Sequence, residues 1–216
     1  MKKLSLCILL LFSIIMLNAQ EVFTGTIEYS ISFPGMELDP MMKSYMPTSI
    51  IATYGNDALK IEQLSNAVSQ TVIVKEEEKM TYILLSMMGQ KFMIKQPMEN
   101  TDNMLSNDST EIEYTEETKT IQGYECKKCI ISTTAEGTAV TSTCYTSSQI
   151  INPINKLSNA NLGVDIIPLE YEVETAGIKM LLSAKSIKKS KVKKSEFAIP
   201  DGYKEISMED LQNLGM

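Results

Sequence analysis

The strongest constraint on the fold is a period-two alternation of apolar and polar residues in short segments that end at turn residues. Segment 22–33 places five apolar side chains on one side of an extended chain, with a break at Gly25: Phe23, Ile27, Tyr29, Ile31 and Phe33. This alternation is typical of a strand with one buried face. The chain is therefore predicted to be β-rich from its first ordered segment onward.

Turn residues join many of these segments in sequence order. The turn signals at 54–57 and 76–79 each lie between two strand-like segments, so each predicts a hairpin. Strands are predicted at 49–53, 58–64, 71–75, 80–85, 91–95, 111–114, 118–122, 124–133, 138–146, 168–174 and 178–187. Because strands that follow one another through short turns pair antiparallel, we expect a mainly β chain that forms an antiparallel meander.

Three segments lack the strand pattern. The Met-rich segment 34–47 is expected to form a short helix or a lid, and the polar segment 96–109 a loop. Segment 148–163 is expected to be a loop or an irregular helix that crosses one face of the sheet. Ser207 with Asp210 three positions later predicts the capped start of a last helix.

The N-terminus has the three parts of a secretory signal peptide. Two lysines precede an apolar run over 4–17, and the small residue Ala19 offers a cleavage site. The run, of about 14 residues, is shorter than the roughly 20 that a membrane-spanning helix needs. We therefore predict a signal peptide at 1–19 and a single exported domain at 20–216, located in the periplasm, associated with the outer membrane, or secreted.

Composition removes several classes of function. The net charge is −7, which disfavours nucleic-acid binding, because that needs a dominant positive field. The chain has no His and no Arg, so it lacks an imidazole base, a standard zinc site and a bidentate phosphate clamp. Nothing marks two carboxylates as a catalytic pair. We expect a protein that is not an enzyme and that has no metal or other cofactor.

The cysteines of the exported domain allow three interpretations. A two-residue turn at 136–137 would place Cys129 directly opposite Cys144 in a hairpin, close enough for a cross-strand disulfide. A Cys126–Cys144 disulfide and a redox site at Cys126 and Cys129 are the alternatives. The redox site is disfavoured because a strand points these two thiols to opposite faces and supplies no helix dipole. Cys126 is then expected to be unpaired, either buried or available to another chain.

Methionine is unusually frequent, with 15 residues in the chain. The methionines could fill irregular gaps in the core, form an adaptable surface for apolar ligands, or bind Cu(I) through Met41, Met42 and Met46. No histidine or repeated spacing supports the copper site. The candidate ligand-binding residues lie mainly in irregular segments: Met36, Met41, Met42, Met46, Met87 and Met88.

Segment 185–194 carries six of the lysines in this acidic chain. One interpretation is an edge strand that its charges protect from aggregation. The other is a contact for anionic lipid headgroups or for an acidic partner. The candidate residues for that contact are Lys185, Lys188, Lys189 and Lys191.

Three segments, 23–29, 118–128 and 195–204, together resemble a family of exported bacterial envelope proteins of unknown function. That family is similar to the lipoprotein carriers LolA and LolB. The resemblance implies an incomplete antiparallel β-barrel whose open side is covered by short helices and loops, enclosing an apolar cavity for acyl chains. It implies no catalytic residues. The carriers use an arginine to hold their closed form, and this chain has none.

Two functions remain. The first is a non-catalytic envelope protein that binds a lipid, a lipopeptide, a lipoprotein or another apolar ligand in a half-barrel cavity. The second is a structural or stress-related interaction module with a filled core. It would bind an outer-membrane or other envelope protein through an edge strand or through the lysines of 185–194.

Overall fold

The structure is a computed structural model that describes residues 21–37, 39–41, 46–47, 49–65, 68–87, 89–98, 109–135, 138–154, 166–175 and 178–213. The predicted signal peptide at 1–19 lies outside these ranges. Within them, no helix combines the length and the apolar character needed to cross a membrane.

Fourteen strands and two short helical segments have both ends within the described residues, and Pro40, Met41 and Met98 are also helical. The strands are β1 Glu21–Val22, β2 Gly25–Ser32, β3 Ser49–Tyr54, β4 Ala58–Leu64, β5 Val68–Lys75, β6 Met80–Met87, β7 Gln90–Pro97, β8 Ser109–Ile121, β9 Tyr124–Ala135, β10 Thr138–Thr146, β11 Ile150–Ile151, β12 Pro168–Thr175, β13 Ile178–Lys189 and β14 Lys204–Glu205. A 3-10 helix spans Lys194–Phe197, and helix α1 spans Met208–Asn213.

Twelve strands form one open sheet in the order β14-β7-β6-β5-β4-β3-β2-β13-β12-β10-β9-β8. Two antiparallel meanders, β2 to β7 and β8 to β13, meet where β2 pairs with β13. Open sheets with more than about 10 strands usually curl, because each strand is twisted relative to the next. The sheet is accordingly curved and not closed into a barrel, which confirms the predicted mainly β, antiparallel, incomplete-barrel class.

Local patterns located the hairpins correctly. The turn at 54–57 joins β3 to β4 and the turn at 76–79 joins β5 to β6, as predicted. The prediction of separate strands at 111–114 and 118–122 is wrong, because both belong to β8. The pairing with β9 shifts register between Tyr114 and Thr118, and this irregularity interrupted the alternation that the prediction relied on.

The predicted edge strand within 185–194 is β13 up to Lys189, and the prediction holds for one side of its lysine-rich end. β13 is an interior strand of the sheet, with β12 on one side and β2 on the other. The ladder with β12 ends at the pair of Glu170 with Ser183, whereas the ladder with β2 continues to Lys189 opposite Gly25. In the described pairing the end of β13 beyond Ser183 therefore has β2 as its one partner. In the described sheet the outermost strands are β8 and β14.

One face of the sheet, the inner face, carries the larger core. At its centre are Tyr29, Tyr54 and Tyr171, none more than 6% exposed. The Tyr29 hydroxyl donates a hydrogen bond to the Pro168 carbonyl oxygen at 2.9 Å, and the rings of Tyr29 and Tyr171 meet edge to face. Burial raises the pKa of all three phenols well above its ordinary value, so they stay neutral.

Side chains from outside the large sheet complete this inner core. β1 and β11 form a separate parallel pair, and the Phe23 amide donates to the Ile151 carbonyl oxygen at 2.9 Å. Phe23, Ile150 and Ile154 are each 4% exposed or less. Each such side chain contributes about 1.5–3 kcal/mol of burial free energy, so the centre of the inner face is filled by the protein itself.

The opposite, outer face has a smaller core under the C-terminal segment. Phe197 is 3% exposed and packs with Tyr82, while Ile199 and Tyr203 cover the same cluster. β14 then pairs parallel with β7, and the Ser207 hydroxyl caps α1 by accepting from the Asp210 amide at 3.0 Å. The predicted capping residue is confirmed.

The predicted cysteine pairing is confirmed. Cys129 lies opposite Cys144, Ile131 opposite Ser142 and Thr133 opposite Val140 in the β9–β10 pair. Cys129 and Cys144 form a disulfide, and Cys126 is a free, buried cysteine.

Candidate functional site

A groove of about 390 Å³ lies on the inner face near the β8 edge. β8 contributes Tyr114, and β9 contributes Glu125 and Lys127. The chain that leaves β10 closes the opposite side with Gln149 and Ile151, and Ile166 completes the lining. With Ile150, Thr146, Ser147 and Ser148 also in the lining, the groove combines Tyr114 and three isoleucines with an acid, a base, an amide and three hydroxyl groups.

The groove exists because β8 is the outermost strand. Inner-face side chains of interior strands are covered by neighbours on both sides, whereas those of β8 are covered on one side only. Tyr114 lies opposite Cys129 but is 51% exposed, and Ile112 lies opposite Ile131 but is 38% exposed. Cys129 and Ile131, one strand further in, are at most 1% exposed. The inner-face side chains are thus buried on β9 and form an accessible apolar surface on β8, the next strand.

The wall opposite Tyr114 is held in place by buried polar contacts. The Thr146 hydroxyl donates to the Ile167 carbonyl oxygen at 3.1 Å, and the Ser147 hydroxyl accepts from the Gln149 amide at 3.3 Å. Thr146 and Ser147 are 7% and 3% exposed. This wall is therefore preformed, which reduces the entropy lost when a ligand enters.

A charged network lies on the outer face behind the groove. Glu117 accepts from the Tyr145 hydroxyl and pairs with Lys128 at 2.8 Å, while Lys119 pairs with Glu170. The hydrogen bond to Glu117 raises the pKa of Tyr145 to about 12 and, with the Lys128 contact, lowers the pKa of Glu117. These contacts connect the irregular part of β8 to β9, β10 and β12, so they brace the edge of the sheet.

Cys126 lies beneath this network. It stands opposite Lys119 in the β8–β9 pair and is fully buried, and burial raises the pKa of its thiol to about 11. Redox-active thiols have lowered pKa values and solvent access. The environment of Cys126 has the opposite properties, which agrees with the sequence argument against a redox site.

The predicted methionine site lies elsewhere. Met36 is 37% exposed and Met41 75% exposed, and both belong to the connection between β2 and β3. Met46 and Met87 are half-buried at the same end of the sheet. We call these four residues the methionine end. The strand pairing places the methionine end at the end of the sheet opposite to that of the groove. Met42 and Met88 lie outside the described residues.

The predicted lysine patch is partly neutralised. Lys185 pairs with Glu28 at 2.7 Å. Lys188, Lys189 and Lys191 are exposed, and for Lys188 and Lys191 the described residues provide no ion pair. The structure thus keeps two of the predicted contact residues available on an interior strand and the chain that follows it.

Sequence reasoning missed the groove. Its signal was the alternation at 111–114, where Ile112 and Tyr114 alternate with two glutamates, and this pattern predicted a strand but no groove. No pattern in the sequence marks Ile151 and Ile166 as its neighbours, because tertiary pairing brings them there. Across the described ranges, no three His, Cys, Asp or Glu side chains converge as metal ligands would.

Comparison with known proteins shows similarity at the level of the fold. No protein-family model matches the chain, and no curated protein matches it. A solved structure of PNGF-II matches with a TM-score of 0.54 and 15% sequence identity, covering 89% of this chain and 33% of the PNGF-II chain. The chain therefore spans about a third of the length of PNGF-II. At this identity the likeness shows a shared fold alone.

Proposed function

We propose that this protein is a non-catalytic, exported envelope protein that binds a lipid or lipopeptide in the groove beside β8. The observation that carries the proposal is the exposure of Tyr114, at 51%, above a cavity of about 390 Å³. Ligand sites in proteins are commonly about 300–1,000 Å³, so the volume of the groove suits one acyl chain or a lipidated residue.

The lining suits an amphipathic ligand. An acyl chain would lie against Tyr114, Ile151 and Ile166, where it would displace water from apolar surface. Lys127 would attract a phosphate or carboxylate of the head, and Glu125 an amine. The groove lies half open to solvent beside an exposed strand, so a headgroup can stay hydrated while the chain is buried.

Binding without catalysis fits the chemistry of the chain. It has no His and no Arg. The carboxyl groups with shifted pKa values, Asp57, Glu78, Glu117 and Asp210, all shift downward. A carboxylic acid that donates a proton at neutral pH needs a raised pKa. None of these four is suited to general acid catalysis.

Native mass spectrometry tests this function. The protein, exported and purified without detergent, is incubated with lysophosphatidylethanolamine, which has one acyl chain and a head with both charges. We expect one bound lipid, and we expect Tyr114→Ser to lose most of the bound fraction. Met41→Ser, an exposed apolar residue at the methionine end, is the matched control and should bind as the wild type does.

Two results would overturn the groove as the site. One is a folded wild-type protein that stays ligand-free at every lipid concentration. The other is loss of binding in Met41→Ser with retention in Tyr114→Ser, which would move the site to the methionine end.

A second candidate function is an interaction module for an envelope protein, and the filled centre of the inner face favours it. Tyr29, Tyr171 and Leu182 occupy the region where a carrier would hold its ligand, and none is more than 6% exposed. Two surfaces are available to a partner: the outermost strand β8, and the lysines at 188 and 191. Replacing Lys188, Lys189 and Lys191 with Glu tests the second surface, since partner binding there should be lost while the fold is retained.

A further inference from the structure

β8 is a long strand with one partner. It spans 13 residues, and within the described sheet it pairs only with β9. Most of its described side chains, on both faces, are exposed. Both faces are therefore exposed over 111–114, and no strand of the described chain pairs with the outward backbone donors and acceptors of β8. Proteins usually protect such an edge, because it is a template for pairing with another chain.

The two faces of its first half differ in chemistry. Glu111 and Glu113 lie on the outer face, opposite Ser132 and Ile130. Ile112 and Tyr114 lie on the inner face, opposite Ile131 and Cys129. A strand laid beside 109–114 would thus meet acidic side chains on one face and apolar side chains on the other, and Tyr114 would lead its apolar face into the groove.

The acidic side chains have no cation of their own. For Glu111, Glu113 and Glu116, no other residue in the described part of the chain supplies an ion pair. Glu117 differs, since Lys128 pairs with it at 2.8 Å. Within the described chain, the irregular part of β8 is therefore partly neutralised through Glu117, while Glu111 and Glu113 of the regular first half have no ion-pair partner.

The irregular part also limits the pairing surface. The Thr115 hydroxyl accepts from the Glu117 amide at 3.2 Å and donates to the Lys128 carbonyl oxygen at 3.5 Å. Contacts of this kind turn backbone groups inward, and irregularities of a ladder stop regular pairing. The regular stretch open to a new strand is 109–114.

We propose that 109–114 of β8 accepts an added strand from a protein partner, an extended segment in which basic and apolar residues alternate. The basic residues would pair with Glu111 and Glu113, and the apolar residues would cover Ile112 and Tyr114. Main-chain hydrogen bonds supply affinity in such additions, and the side-chain pattern supplies specificity. The inference rests on the second candidate function and names its surface and the chemistry of its partner.

A second copy of this chain fits the edge poorly. Pairing of β8 with another β8 would bring the glutamates of the two strands side by side, and like charges in neighbouring strands are destabilising. The chain's own basic segment is held elsewhere, because Lys188 and Lys189 pair with Thr26 and Gly25 of β2 near the middle of the sheet. The charge of the edge therefore selects a different, basic chain.

A peptide titration tests the inference on the full exported protein. The probe is a fluorescent octapeptide of alternating Lys and Val, followed by fluorescence anisotropy. One control peptide alternates Glu and Val. A second control is the Lys–Val peptide with its two central valines replaced by Pro. This change keeps the charge of the probe and removes two backbone N–H donors. We expect the Lys–Val probe to bind saturably and neither control peptide to bind.

Charge reversal locates the site. Glu111→Lys with Glu113→Lys should weaken binding of the Lys–Val probe by about tenfold or more, since two ion pairs become two repulsions. It should also allow the Glu–Val peptide to bind. Glu172→Lys with Glu174→Lys on the outer face of interior strand β12 makes the same change in net charge, and it should leave probe affinity within about twofold.

Several outcomes would overturn the proposal. Equal loss in both double variants, or equal binding of the Pro-containing peptide, would mean attraction to net charge without strand addition. Absence of probe binding by the folded protein would mean that the edge is closed. These outcomes are separate from the other tests: lysophospholipid binding reports on the groove ligand, and the Lys188, Lys189 and Lys191 variant reports on the alternative partner surface.

Discussion

Cys129 lies directly opposite Cys144 in the antiparallel pair of β9 and β10, and their disulfide joins Cα atoms 5.2 Å apart. The two cysteines are 15 positions apart in sequence, and both are fully buried. The bond therefore fixes the register of the strand that supports β8.

Loss of this disulfide should destabilise the protein. Closing a loop of this length contributes about 3 kcal/mol by restricting the unfolded chain. We expect Cys129→Ala with Cys144→Ala to lower the free energy of unfolding by about 2–4 kcal/mol in urea. Reductant provides the control: it should lower the urea midpoint of the wild type and leave that of the double variant unchanged. A wild type insensitive to reductant after full unfolding and refolding would contradict the prediction.

The Cys126 thiol should be inert in the folded protein. It is 0% exposed, and burial raises its pKa to about 11, so almost no thiolate forms near neutral pH. For the domain 20–216, which lacks Cys7, we expect no modification by iodoacetamide at neutral pH in buffer, and modification of one thiol per molecule in denaturant without reductant. Mass spectrometry of the two samples checks this. Rapid alkylation of native protein would show that the network over Cys126 opens readily.

Gly25 should be sensitive to the smallest substitution. Its φ is +141°, and an added Cβ would lie 2.1 Å from the Lys188 carbonyl oxygen, so both backbone strain and a clash with β13 follow. We expect Gly25→Ala to cost about 3 kcal/mol or more of unfolding free energy. Gly35→Ala is the matched control, because Gly35 has a φ of +72° with open space around it and should cost about 1 kcal/mol. Equal urea midpoints for the two variants would contradict this account.

Stability should fall in acid partly through Asp57. Lys194 lies 2.9 Å from its carboxylate, and this hydrogen bond lowers the pKa of Asp57 in the folded protein. The stabilisation is complete above the unfolded pKa, about 3.9, and is lost as pH falls through the lower folded value. Asp57→Asn should therefore be less stable than the wild type at neutral pH, and the difference should shrink below about pH 4.

Urea midpoints of both proteins at neutral and acidic pH measure this difference. Glu116→Gln is the control, because no residue in the described ranges pairs with that carboxylate, and its stability should follow the wild type. A constant difference between Asp57→Asn and the wild type across the acidic range would assign the effect to packing.

Local signals in the sequence were sufficient for the elements of the fold. Alternation and turn residues located both hairpins, and counting from a two-residue turn matched Cys129 with Cys144. Ser207 and Asp210 marked the start of α1. Each of these features depends on residues within about 15 positions of each other, so each leaves a local pattern.

Pairing between distant strands left no such pattern. The lysines of 185–194 were interpreted as protection of an edge strand. A lysine-rich segment has the same composition whether its strand lies at the edge of a sheet or in its interior, so composition cannot distinguish the two. Only the two ladders show that β13 is an interior strand up to Ser183 and has β2 alone as a described partner beyond it. The register shift in β8 divided one strand into two predicted ones. The groove depends on Tyr114 meeting Ile151 and Ile166 from other elements, which no single stretch of sequence encodes.

The junction of the two meanders has a consequence for the order of folding. The Ser30 hydroxyl donates to the Ser183 carbonyl oxygen across the junction, and the two residues are 153 positions apart. Contacts this distant close late, because the intervening chain loses much entropy on closure. β2 can therefore pair with β3 early, yet its other edge stays open until β13 arrives. A chain truncated before β13 would expose that edge permanently, which makes C-terminal truncations prone to aggregation and the last strands decisive for solubility.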